Sequence, residues 1–91
     1  MQVTKSKMIE MFRTETDEGN KWLCGAVVRL NEMACDKLNE QQAYNLNYWS
    51  GWCKTSFKPL SGTHRNDACE LVCNDPIAEV LWQDLAKRFS K

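Results

Sequence analysis

The stretch Asp75-Pro76-Ile77-Ala78-Glu79-Val80-Leu81-Trp82-Gln83-Asp84-Leu85-Ala86-Lys87-Arg88-Phe89-Ser90 decides the fold class. Ile77, Leu81, Leu85 and Phe89 recur every four residues, with Ala78 and Trp82 beside them, which is the apolar stripe of an amphipathic helix. Asp75 has the side chain of an N-cap. Pro76 suits the first helical position, where its missing amide hydrogen costs nothing. Lys87, Arg88 and Lys91 put positive charge at the end where the helix dipole is negative. A helix is therefore predicted from Pro76 to about Ser90.

Upstream of it, Asp67-Ala68-Cys69-Glu70 has capping-box spacing and predicts a short helix through Cys73. Pro59 and Ser61-Gly62 mark the preceding stretch as a loop, with room for a small β-hairpin within Lys54–Gly62. Asn39-Glu40-Gln41-Gln42 is a second capping box, with Leu38 at the staple position. It predicts a helix from Glu40 to around Lys54, turning Ala43, Leu46, Trp49 or Ser50, and Cys53 toward the core.

The clearest period runs from Lys21 to about Lys37. Trp22, Leu23, Ala26, Val27, Leu30, Met33 and Ala34 alternate by threes and fours. Val27 and Val28 also suit a strand across Trp22–Leu30, but the period continues to Ala34 and is too long for one. A first helix is expected from about Lys5 to Thr16, with Met8, Ile9, Met11 and Phe12 apolar. Gly19 is expected to end it in a left-handed conformation, and Asn20 to cap the next helix. The expected fold is all-α: a single domain of four main helices and one short one.

Composition narrows the function. At 91 residues the chain buries only about 60–65% of its unfolded surface, leaving little room for a deep catalytic pocket. Its formal net charge is zero, so attraction to nucleic acid or membrane must come from a local patch. No basic start followed by an apolar run marks an export leader, and no stretch reaches the ~20 apolar residues of a membrane helix. A cytoplasmic protein is expected, with its five cysteines reduced and mostly packed as small apolar groups.

Three constellations could carry chemistry. Cys53, His64, Cys69 and Cys73 could supply four zinc ligands, but the spacing lacks the usual Cys-x2-Cys knuckle, so no metal or other cofactor is expected. His64 is the lone histidine. No phosphate loop, nucleophile elbow or metalloprotease helix occurs, so no enzyme is expected. Cys24 and Cys35, eleven apart, would lie ~16 Å from each other on one helix and could not bridge.

The third constellation is aromatic and basic. Tyr44, Tyr48, Trp49, Trp52 and Phe57 crowd one helix and its exit, more rings than one narrow buried face holds. Between Gln41 and Asn66 there is no acidic residue, while Lys54, Lys58 and Arg65 are basic and His64 sits among them. Exposed aromatics are enriched at protein interfaces. The reading is a non-catalytic interaction module, an adaptor or stoichiometric inhibitor that docks this face onto a larger protein. By size and composition it has the character of phage or mobile-element proteins that block host defence complexes. The alternative is a small nucleic-acid binder that stacks bases on the same rings, although three cations make a weak, salt-sensitive patch.

Overall fold

Threonines and asparagines set where four of the helices of this computed structural model begin. The structure describes residues 3–33, 35–55, 60 and 62–89, the Phe89 side chain excepted. Its elements are α1 (Lys5–Arg13), α2 (Asp17–Met33), α3 (Glu40–Thr55), α4 (Gly62–Cys73) and α5 (Asp75–Phe89), with no strand among the described residues. The fold is all-α. Residues 56–59 and 61, where a hairpin had room, lie outside the described set, as does Ala34.

Thr4 caps α1 by accepting the Lys7 amide at 3.1 Å. The helix stops one turn earlier than its apolar pattern predicts because Thr14 is extended (φ −80°, ψ 122°). Thr16 then caps α2, its hydroxyl accepting the Gly19 amide at 3.1 Å and its carbonyl the Asn20 amide at 2.8 Å. Gly19 is thus inside the first turn of α2 and does not terminate α1. Its missing side chain matters for another reason: an added Cβ would overlap the Thr14 carbonyl oxygen. Asn20 is likewise helical, and its side chain is free to bond elsewhere.

The capping box of α3 forms in both directions. Asn39 Oδ1 accepts the Gln42 amide at 2.8 Å, and Gln42 Oε1 accepts the Asn39 amide at 3.0 Å. The expected box at Asp67 does not form, because α4 already begins at Gly62 and Asp67 lies within it. Gly62 carries the positive φ (58°) that a glycine tolerates best. At α5 the cap is shifted by one residue: the Asn74 carbonyl accepts the Ala78 amide at 2.7 Å, making Asp75 the first helical residue.

All five helices feed one core. Met8 and Phe12 of α1 meet Leu23, Val27 and Leu30 of α2, Leu46 and Trp49 of α3, Ala68 and Val72 of α4, and Ile77 and Leu81 of α5. Leu60 seals it between α3 and α4. Ala43 is exposed, contrary to its expected place in the core. It shares a side of α3 with Ser50, seven residues on, but sits in the first turn, before the buried stripe begins at Leu46.

Polar ties hold α5 in place. Trp82 Nε1 donates to the Val3 carbonyl at 3.0 Å, and Lys5 Nζ reaches Glu79 at 3.0 Å. Arg29 of α2 grips Asp84 with two parallel bonds of 2.9 Å. Those bonds hold the Asp84 carboxyl below its ordinary range against the opposing effect of burial. A depressed carboxyl stabilises the fold above its unfolded pKa of about 4, and that contribution is lost as pH falls through the folded value. The acid side of the stability profile, measured by urea unfolding from about pH 6 to about pH 2, is therefore expected to be shallower in Asp84→Asn. Identical acid limbs would leave the pair without a stabilising role.

Candidate interaction face

The inner stripe of α3 is Leu46, Trp49 and Ser50, with Cys53 half-buried at its end. Tyr44, Tyr48 and Trp52 follow each other at four-residue steps along the opposite side. Each step advances about 40° round the helix, so the row drifts toward the core as it descends. Exposure falls accordingly, from 71% at Tyr44 to 53% at Tyr48 and 40% at Trp52. These three are the large apolar side chains most open to water among the described residues.

His64 joins the row from α4, its ring centroid 6.0 Å from that of Tyr48 with the planes tilted by 37°. Residues from two helices therefore share one surface, which the sequence places sixteen positions apart. Lys54 is exposed at the end of α3. Phe57 and Lys58 lie outside the described residues.

Trp49 and Arg65 turn inward. Trp49 is 5% exposed and belongs to the core. Arg65 is 8% exposed and committed to internal acceptors: Nε to Asn20 Oδ1 at 2.9 Å, and one Nη to the carbonyls of Thr14 at 2.9 Å and Phe12 at 3.3 Å. Because α4 begins at Gly62, Arg65 shares the buried stripe of Ala68 and Val72. A reading that leaves residues 59–66 as loop cannot see this.

The cysteines sort into neighbours different from those of the Cys53–His64–Cys69–Cys73 series. Cys69 and Cys73, one turn apart on α4, have sulfurs 4.0 Å apart, and Cys69 also donates to the Phe12 carbonyl. Cys53 instead lies beside Cys24 of α2, the two lining one cavity. Among the described residues no group of three or more metal-ligating side chains forms.

Compared with known protein families, characterised proteins and solved structures, the chain matches none. Among the described residues no helix is long and apolar enough to cross a membrane.

Proposed function

We propose that this chain is a non-catalytic protein-interaction module, an adaptor or stoichiometric inhibitor that docks the α3 aromatic face onto a larger protein. The observation that carries the reading is the unpartnered row Tyr44, Tyr48 and Trp52, joined by His64. Leaving three large rings in water is unfavourable unless a partner covers them, and aromatic anchors supply much of the energy of such contacts. Their polar tips tolerate water in the unbound state, so the face need not collapse into the core. Lys54, exposed at the end of α3, gives the rim a positive sign suited to an acidic partner surface. The narrower form, an inhibitor of a host defence complex carried by a phage or mobile element, rests on size and composition.

The test is capture of tagged protein from host lysate at moderate salt, set beside a Tyr44→Ala, Tyr48→Ala, Trp52→Ala triple variant. The wild type is expected to retain a protein in near-stoichiometric amount, and the triple variant to lose it while keeping its helical circular dichroism. Equal capture by both would remove the face from the interaction. Nucleic acid bound instead, and released steeply as salt rises, would favour the base-stacking alternative.

A further inference from the structure

Cys24 and Cys53 are distant in sequence but adjacent in space, on the facing helices α2 and α3. Both are half-buried, so a small reagent can reach them. They line one open cavity of about 430 Å³ together with Arg29, Glu32 and Arg88. Arg29 is held by Asp84, and Glu32 offsets Arg88, so the surroundings of the cavity carry no net charge. We propose that Cys24 and Cys53 form a dithiol site that reacts with small soluble disulfides, of which oxidised glutathione is the representative, and closes to a disulfide joining α2 to α3.

The roles of the two sulfurs differ. The neighbouring Cys53 thiol and the Leu60 backbone lower Cys24 to about 6 against the opposing effect of burial. Cys53 is raised, because the neighbouring Cys24 and burial disfavour a second negative charge. Cys24 is thus the attacking sulfur and Cys53 the resolving one. In the first step the Cys24 thiolate attacks one sulfur of oxidised glutathione. The glutathione S–S bond breaks, a Cys24–glutathione disulfide forms, and one glutathione leaves as thiolate. In the second step Cys53 loses its proton to solvent or to that departing thiolate and attacks the Cys24 sulfur. The Cys24–Cys53 bond forms and the second glutathione leaves. Two thiols are oxidised and one disulfide is reduced, so the electrons balance.

The other neighbouring pair is a poorer candidate for this chemistry. Burial, with Cys73 alongside, pushes Cys69 up to about 11, leaving little thiolate. A bond between Cys69 and Cys73 would close one turn of a single helix and join nothing else.

The experiment treats the reduced chain with oxidised glutathione, quenches with acid and maps tryptic peptides by mass spectrometry. Cleavage at Lys21, Arg29, Lys37 and Lys54 puts Cys24 in peptide 22–29 and Cys53 in peptide 38–54, each with one cysteine. These two peptides are expected to appear linked, two hydrogens lighter than their sum. In Cys53→Ser, glutathione is expected to remain on Cys24. In Cys24→Ser, Cys53 is expected to stay unmodified over the same time. Failure of the linked pair to form while Cys35 accumulates glutathione would overturn the proposal. As a second readout, the rate of Cys24 alkylation is expected to level off above about pH 7. A rate that still climbs steeply at pH 9, as an ordinary thiol's does, would overturn the assignment of Cys24 as the attacking thiolate.

Discussion

Replacing Arg65 with alanine is expected to destabilise the fold by about 3 kcal/mol, read as a lower urea midpoint with the slope unchanged. The reason is the carbonyl accounting at the end of α1, whose last turn leaves carbonyls with no helical partner. The Glu10 carbonyl accepts the Thr14 hydroxyl at 2.8 Å and the Met11 carbonyl the Thr14 amide at 3.2 Å. The Thr14 carbonyl is left to Arg65, and the Phe12 carbonyl is shared by Arg65 and the Cys69 thiol; Arg65 also holds Asn20 in α2. One guanidinium thus satisfies three acceptors from two helices, and its charge sits at the negative end of the α1 dipole. Alanine would take the guanidinium from those acceptors and open a void beneath them. Lysine reaches with a single ammonium and cannot match a planar fork, so Arg65→Lys should recover less than half of the loss. Glu15 lies 3.8 Å from the guanidinium but is largely in solvent, and Glu15→Ala should cost no more than about 0.5 kcal/mol. An Arg65→Ala midpoint within error of wild type would show that water replaces the guanidinium without loss.

Arg65 also shows where the sequence could be read and where it could not. Periodicity located α2, α3 and α5 to within a few residues, because their apolar residues repeat on one face and their caps are local. The capping box at Asn39 is legible for that reason: both partners lie within four residues. α4 carries no such signal in its first half. Gly62-Thr63-His64-Arg65-Asn66-Asp67 is polar throughout, and its inward residue is an arginine whose acceptors lie more than forty positions away. A buried charge paired across the fold looks, in sequence, like a solvated one. Gly19 misled differently: a glycine between two helices suggests a left-handed stop, whereas here it permits close approach of α2 to the end of α1. The candidate face was legible in part. Four-residue spacing places Tyr44, Tyr48 and Trp52 in one row, and His64 belongs to the same basic stretch, but setting His64 against Tyr48 and withdrawing Arg65 required the packing of α4.

Trp49 and Trp52 stand three residues apart, and their replacement is expected to separate stability from binding. Trp49→Ala should cost about 3–5 kcal/mol, because a large ring is removed from the centre of a thin core that can only partly collapse. For a domain of this size a loss of that order approaches the whole stability, so much of the variant should be unfolded at 25 °C. Trp49→Phe keeps most of the apolar volume and should recover the larger part. Trp52→Ala removes a ring that is already 40% exposed and lies on the outer edge of α3. Its stability cost should stay near 1 kcal/mol, within the range of ordinary substitutions. If the α3 face is the docking surface, Trp52→Ala should weaken partner capture by at least about 10-fold, as losing a hot-spot ring does. Thermal unfolding of the two variants beside a binding titration measures both quantities on the same samples. A folded Trp49→Ala protein would mean that neighbouring side chains close over the vacated space. Undiminished capture by a folded Trp52→Ala protein would move the docking surface away from this end of α3, leaving Tyr44 and Tyr48 to carry it.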